Sequence, residues 1–284
     1  MWPESLVGEL AARRCVVFMG AGISAASGAP DGSLLPGWKC LLDSARLQLP
    51  QGADATIASE LLGKERYLDA AEVIFSALDR GDRTGFLRKI FQNPLQPFQP
   101  SQLHKLVRDL DVKIVITTNF DTLYEQLCPN NEGYNVRHYT DGDLLDDVRS
   151  PIRLIVKAHG CITDPHNIVL TRSDYYRARS EHLNFYNILD ALFLTNTILF
   201  VGCSLTDPDI QLTLENANIA SPAGHTHFAL MAAGTHAALS RSMRASYNIR
   251  IVEYDNASGD HAEAVSALEA LAKDVTAYRS SILA

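Results

Sequence analysis

Cysteine is scarce in this sequence, and the cysteines are never paired. The 284 residues include five, with no C-x-x-C spacing: Cys15, Cys40, Cys128, Cys161 and Cys203. A zinc site built from two cysteine pairs is therefore excluded, and an odd, scattered set argues against a disulfide framework. Reduced thiols are the simplest interpretation, and they favour a cytoplasmic protein.

Long apolar runs and excess positive charge are also missing. No segment reaches the ~18 apolar residues that span a bilayer, and no basic stretch precedes an apolar one at the start, so no secretory signal is expected. The formal net charge is −8. A net-negative protein gains no long-range attraction to nucleic acid or an anionic membrane, so we expect neither membrane association nor direct nucleic-acid binding.

The sequence does contain enough apolar residues for a large core. Hydrophobic residues make up 46% and charged residues 20%, which is typical of globular proteins. Short apolar runs that suit buried strands alternate with helical patterns. The runs cover residues 15–19, 113–117, 152–157, 197–201, 226–231 and 249–254, with weaker ones at 136–139 and 167–170. This alternation predicts a Rossmann-like, doubly wound α/β fold with a mainly parallel sheet.

One stretch breaks the alternation. From residue 38 to about 110 the apolar spacing is helical and no strand is convincing. Pro94, Pro97 and Pro100 mark a non-helical return to the sheet. We therefore expect a single domain over residues 1–284, in which residues 1–35 and 111–284 form the Rossmann-like part and residues 36–110 form an inserted all-helical module.

Glycine-rich or polar segments follow four of the predicted strands. The first is Gly20-Ala21-Gly22-Ile23-Ser24. Glycines let the backbone approach a ligand, and the free N–H groups of a helix start favour an anion such as a pyrophosphate. The full G-x-G-x-x-G fingerprint is absent because Ala25 stands at its third glycine. Simple tight packing is the alternative interpretation.

The second and third segments offer side chains for chemistry. Asn119 and Asp121 follow the strand at 113–117, at the edge where open α/β folds bind ligands; the alternative is that they cap the next helix. His159, followed by Gly160, ends another strand and is a candidate general base, because imidazole titrates near neutral pH. The other eight of the nine histidines are interpreted as structural.

The fourth segment is Gly202-Cys203-Ser204. Gly202 permits close approach, and Ser204 offers a hydroxyl to a phosphate or ribose. A turn and an N-cap are the alternative, with Pro208 in the first helical turn. Cys203 is interpreted as a small buried thiol rather than a nucleophile.

Together, in this order, the four segments resemble the sirtuin superfamily. Sirtuins carry GAGIS-x-x-SGIPDFR, TQNID, HG and GTS or GCS motifs. Their counterparts here are GAGISAASGAPD at 20–31, TTNFD at 117–121, HG at 159–160 and GCS at 202–204. The resemblance covers about residues 15–254. It implies a Rossmann-like fold with a smaller module and NAD in the cleft between them.

The resemblance also implies a role for each matching residue. NAD-contacting residues would be Gly20, Ala21, Gly22, Ser24, Asp31, Thr118, Gly202, Cys203, Ser204 and Tyr254, running from the pyrophosphate to the adenine. Asn119 would orient the attacking water. His159 would accept a proton, and Asp121 would position the ribose or the nicotinamide edge.

Two departures separate this chain from deacylase sirtuins. Only Cys161 stands between His159 and Gly202, so the four-cysteine zinc site of those enzymes cannot form and no metal is expected. The phenylalanine after Asp31 that would cover nicotinamide is missing, and Trp38 or Phe120 is expected to replace it. The sequence LPGWKCLL at 35–42 is similar to the sirtuin-like NAD hydrolase domains of prokaryotic anti-phage defence proteins.

The resemblance therefore implies an NAD glycohydrolase that cleaves NAD to nicotinamide and ADP-ribose and depletes it in infected cells. Two alternatives stay open. One is a zinc-free NAD-dependent deacylase or ADP-ribosyltransferase; the other is a non-catalytic subunit that binds NAD or ADP-ribose. A homo-oligomer is expected, and a separately encoded sensor, such as a translocase ATPase or an Argonaute-like protein, is a further expected partner.

Overall fold

A seven-stranded parallel sheet forms the centre of the computed structural model, which describes residues 2–92, 97–222 and 224–283. The strands are β1 (Cys15–Met19), β2 (Ile114–Thr117), β3 (Tyr134–His138), β4 (Arg153–Lys157), β5 (Thr197–Val201), β6 (His227–Ala232) and β7 (Ile249–Tyr254). Their order is β3-β4-β2-β1-β5-β6-β7, and each neighbouring pair is parallel. The predicted Rossmann-like α/β fold is confirmed.

Helices connect the strands and cover both faces of the sheet. They are α1 (Glu4–Ala11), α2 (Ala21–Ala25), α3 (Trp38–Arg46), α4 (Ala53–Gly63), α5 (Tyr67–Ala77), α6 (Arg80–Phe91), α7 (Gln102–Asp109), α8 (Leu123–Gln126), α9 (Leu144–Arg149), α10 (Arg172–Glu181), α11 (Leu183–Thr195), α12 (Pro208–Ala220), α13 (Ala237–Tyr247) and α14 (Ala262–Leu283). In the part of the chain that the structure describes, no helix is long and apolar enough to cross a membrane.

Alternate residues of the central strands face two apolar cores. Met19 and Leu199 face the core that α1, α7 and α14 cover. Phe18 and Phe200 face the core that α10, α11 and α12 cover. A strand covered on both faces has no solvent side, which is why β1 and β5 are continuous apolar runs in the sequence.

Helices α3 to α6 lie between β1 and β2 and have a core of their own. Leu42, Ile74 and Leu87 are fully buried in it. Buried residues of the segment after β4, among them Ile162 and Leu170, belong to the same core. This packing holds the four helices against the carboxyl edge of the sheet.

Helix α7 packs differently from α3 to α6. Leu106 and Val107 join the core of the sheet, next to α14. A division of the chain by core would therefore place α7 with the Rossmann-like part. The limits of the inserted module at residues 36 and 110 stay a prediction.

The structure corrects one expected strand. Residues 167–170 are not a strand; a 3-10 turn at Pro165–Asn167 leads into them, and the Val169 N–H donates to the carbonyl of His159 at 3.0 Å. Ile168 and Leu170 are buried against α3 to α6, so this apolar run reflects burial outside the sheet. Residues 93–96 of the proline segment lie outside the described residues.

Candidate active site

A cavity of about 840 Å³ opens at the carboxyl edge of the sheet, where the loops after β1, β2, β4 and β5 face helices α3, α5 and α6. The chain leaves β1 toward β2 on one side and leaves β5 toward β6 on the other. Open α/β sheets bind ligands at such a switch point. The volume lies within the range of cofactor pockets.

The loops after β1 and β5 form a wall of backbone. The Gly22 N–H donates to the Gly202 carbonyl at 2.9 Å. A Cβ at Gly20 would lie 2.4 Å from that carbonyl oxygen, and a Cβ at Gly202, where φ is +66°, would lie 2.6 Å from the Ile23 nitrogen. Glycine is required at both positions because the two loops touch through their main chains.

The loops after β2 and β4 form a second wall, in which Asn119 is held by its side-chain amide. Its Nδ2 donates to the Gly20 carbonyl at 3.1 Å and to Ser24 Oγ at 2.9 Å. The residue is 8% exposed, and its Oδ1 has no hydrogen-bond partner among the described residues. A buried acceptor without a donor costs free energy, so this oxygen favours a donor brought by a bound molecule.

His104 supports Asn119 through Ser24. Ser24 Oγ lies 3.5 Å from His104 Nε2, and the Ser101 N–H donates to His104 Nδ1 at 3.1 Å. Because Nδ1 accepts, the proton of the neutral ring sits on Nε2 and is directed at Ser24. Burial lowers the pKa of His104 to about 4, so the ring is neutral at physiological pH. The sequence interpretation treated His104 as merely structural.

Asp121 lines the cavity and also shapes the loop after β2. Its Oδ1 accepts the Leu123 N–H at 3.0 Å, which stabilises the turn into α8. Its carbonyl accepts from Lys157 Nζ, and that ammonium group pairs with Glu125 at 2.8 Å. Burial acts to lower the pKa of Lys157, but Glu125 and other anionic neighbours raise it above its usual value. The charged lysine therefore ties this loop to β4.

His159 follows β4 and lies against two side chains of neighbouring elements. Its side chain is 6% exposed, with Nε2 3.5 Å from Asp207 Oδ2, and its ring meets Tyr175 edge-on at 5.1 Å between centroids. Gly160 has a φ of +81°, and a Cβ there would lie 2.3 Å from the Asn167 carbonyl oxygen. The glycine that follows the histidine is thus required by the backbone. Asp207 is a residue of the site that was not predicted from the sequence.

Most of the residues predicted for the site meet at this cavity. They are Gly20, Ala21, Gly22, Ser24, Thr118, Asn119, Asp121, His159, Gly202, Cys203 and Ser204, and both aromatic candidates, Trp38 and Phe120, join them. Burial raises the pKa of the Cys203 thiol, which keeps it protonated and unreactive.

Two predicted residues do not line the cavity. Asp31 accepts hydrogen bonds from the backbone and hydroxyl of Ser33 in the loop after α2. Tyr254 ends the edge strand β7, where its hydroxyl lies 2.7 Å from Nδ1 of His261. Within the described ranges, no group of three or more His, Cys, Asp or Glu side chains is placed to hold a metal ion.

The chain is similar to several known proteins. The family model of the SIR2-like domain matches residues 113–252. The NAD(+) hydrolase ThsA of Acinetobacter baumannii (strain 532279) is 23% identical over 216 residues, which is 76% of this chain and 42% of that protein. Defense-associated sirtuin 2 of Bacillus subtilis is 26% identical over 204 residues, covering 71% of this chain and 19% of that protein. The chain thus spans less than half the length of these relatives.

One solved structure aligns along most of the chain. A SIR2 homolog in complex with NAD has a TM-score of 0.49 and 14% sequence identity, over 98% of this chain and 96% of that one.

Proposed function

We propose that this chain, part of which matches the SIR2-like domain model, binds NAD⁺ in its cavity and hydrolyses the bond between nicotinamide and ribose. The observation that carries this proposal is the convergence of Asn119 and His159 on one cavity, with the Asn119 Oδ1 buried and unpartnered. Relatives that are named NAD(+) hydrolases support the same reaction.

The two walls suit different parts of the substrate. The wall from β1 and β5 presents main chain without side chains at Gly20, Gly22 and Gly202, which lets a pyrophosphate approach closely. Ser24 Oγ is paired with both Asn119 Nδ2 and His104 Nε2, so its own proton is free to donate to a phosphate oxygen. Trp38 and Phe120 offer aromatic faces for the nicotinamide ring.

Hydrolysis proceeds through a loose, sugar-cation-like transition state. The bond from ribose C1′ to the pyridinium nitrogen breaks, and its electron pair stays on nicotinamide, which leaves as a neutral molecule. Asn119 Oδ1 accepts a hydrogen bond from the attacking water and directs its oxygen to C1′. His159 accepts a proton from that water or from a ribose hydroxyl and later releases it to solvent. Positioning and general-base assistance each accelerate such steps by orders of magnitude.

The products decide between this reaction and the alternatives. Purified protein incubated with NAD⁺ in ¹⁸O-labelled water should form nicotinamide and ¹⁸O-labelled ADP-ribose in equal amounts, measured by mass spectrometry. Acyl-ADP-ribose, formed only when an acyl-lysine peptide is added, would identify a deacylase. Binding of NAD⁺ without turnover would identify a non-catalytic subunit.

We further propose that the hydrolase acts as an NAD-depleting effector of anti-phage defence, which the name of the Bacillus subtilis relative supports. Assembly into a homo-oligomer and control by a separately encoded sensor stay predictions. Turnover measured with and without the products of neighbouring genes, alongside the mass of the complex in solution, tests them. Equal turnover in both conditions would contradict the control by a sensor.

A further inference from the structure

Asp207 is the first residue before α12, and each of its carboxylate oxygens has a different task. Its Oδ1 caps the helix by accepting the N–H groups of Asp209 and Ile210 at 3.0 and 3.1 Å. Its Oδ2 accepts the Tyr175 hydroxyl at 2.6 Å and lies 3.5 Å from His159 Nε2. Three donors therefore fix the orientation of the Asp207 carboxylate, and its Oδ2 faces the imidazole of His159.

Capping alone does not account for this arrangement. A serine or threonine would cap α12 with one oxygen, whereas here the second oxygen is directed at the histidine. Tyr175 contacts both members of the pair, since its hydroxyl donates to Asp207 and its ring packs edge-on against His159. Burial and the nearby Asp207 raise the pKa of Tyr175, so the hydroxyl remains a donor.

We propose that Asp207 is a positioning residue that orients His159 and stabilises the positive charge on its ring during hydrolysis. This inference rests on the proposed function. At 3.5 Å, Asp207 Oδ2 is close enough to His159 Nε2 for an ion pair but too far for a strong N–H···O hydrogen bond. When Nε2 takes a proton from water, the new N–H faces a carboxylate, and the charge pair stabilises the imidazolium.

A second carboxylate near His159, that of Asp209, has other partners. Asp209, two residues along α12, accepts from the Tyr186 hydroxyl at 2.8 Å and pairs with Arg179 at 3.3 Å. Burial raises the pKa of Asp209. The remaining charged residues that line the cavity are Glu65, Arg66, Asp69, Asp121 and Arg172. Of the described carboxylates, Asp207 is the one that pairs with His159.

The test removes the charge of Asp207 and keeps its capping oxygen. In Asp207→Asn the kcat for NAD⁺ cleavage should fall about 10- to 100-fold. KM should change less than about 2-fold, because the contacts that bind NAD⁺ before the reaction are kept. Tyr175→Phe keeps the ring and should show a smaller loss of kcat.

The matched control is Asp79→Asn, at the residue that caps α6 by accepting the Asp82 N–H. It should leave kcat and KM unchanged. Asp207→Ser, which keeps a capping oxygen without charge, replaces Asp207→Asn if that variant does not fold. An unchanged kcat, or a loss that appears in KM rather than in kcat, would overturn this inference and leave the hydrolase standing. Absence of turnover by the unmodified protein would instead refute the proposed function.

Discussion

The two walls of the cavity are built by opposite means. The wall from β1 and β5 depends on missing side chains, since any Cβ at Gly20 or Gly202 would strike backbone. The wall from β2 and β4 depends on side chains, Asn119 and His159, that are buried and held by neighbouring groups. A substitution in the first wall should therefore disturb the fold, whereas a substitution in the second should remove chemistry and spare the fold.

The largest effect should follow from truncating the side-chain wall. Asn119→Ala and His159→Ala should each reduce NAD⁺ cleavage by about 10³-fold or more, because one removes the orientation of water and the other its base. Thermal unfolding should stay close to that of the unmodified protein. His166→Ala, at an exposed histidine of the same region, is the control. Cleavage at the normal rate by either variant would discredit the assignment.

Acid should destabilise both walls of the cavity, because a buried histidine supports each of them. His104 supports Asn119, and His227 Nδ1 accepts the N–H of Ile198 in β5 at 3.1 Å. Burial lowers the pKa of each to about 4, against 6.5 for the free side chain.

The direction of the pH effect follows from these values. Between pH 6.5 and about pH 4 these two histidines are protonated in the unfolded chain but neutral in the folded protein. The free energy of unfolding therefore falls as the pH falls through this window. Each histidine accounts for about 3 kcal/mol of the loss. Urea unfolding at several pH values measures it. His227→Gln should flatten the dependence by about half, and an unaltered slope would contradict this account.

A substitution in the wall from β1 and β5 should lower the stability of the fold rather than act on the chemistry directly. Gly202→Ala places a Cβ at positive φ against the Ile23 backbone nitrogen, and we expect a loss of about 2–3 kcal/mol in the free energy of unfolding. Gly32→Ala is the control, because Gly32 has a φ of +83° with nothing within 4 Å of a Cβ. It should cost about 1 kcal/mol. Equal losses would mean that the close approach of the two loops contributes little.

The smallest effect is expected at a residue that neither wall contains. Tyr254→Phe should change kcat/KM for NAD⁺ less than about 2-fold, because the Tyr254 hydroxyl faces His261 at the edge of the sheet. Steady-state kinetics test this. A loss of 10-fold or more would instead support a contact between Tyr254 and the adenine of NAD⁺, as the sirtuin resemblance implies.

Much of the fold could be predicted because strands that are buried on both faces of a sheet appear in the sequence as continuous apolar runs. The strands at Thr197–Val201 and Ile249–Tyr254 have the predicted bounds. Helix α10 was not predicted because its surface is mostly polar and no apolar stripe marks it. Its capping box, formed by Thr171 and Asp174, was the available signal.

The candidate site divides in the same way. Asn119, His159 and the glycines follow predicted strands, so parallel strands place them at one edge. His104 and Asp207 act through contacts with residues far along the chain: Ser24 is 80 positions from His104, and Tyr175 is 32 from Asp207. Both residues lie at the start of a helix, so a helix-capping role already explains each of them in the sequence.

The amino-acid sequence by itself determined the parallel sheet and the order of its polar loop tips, because strand period and turn chemistry are local properties. Tertiary structure alone decided that Gly20 and Gly202 admit no side chain, that Asn119 Oδ1 is left without a partner among the described residues, and which carboxylate faces His159. Those relations depend on contacts between segments that meet only after the chain has folded.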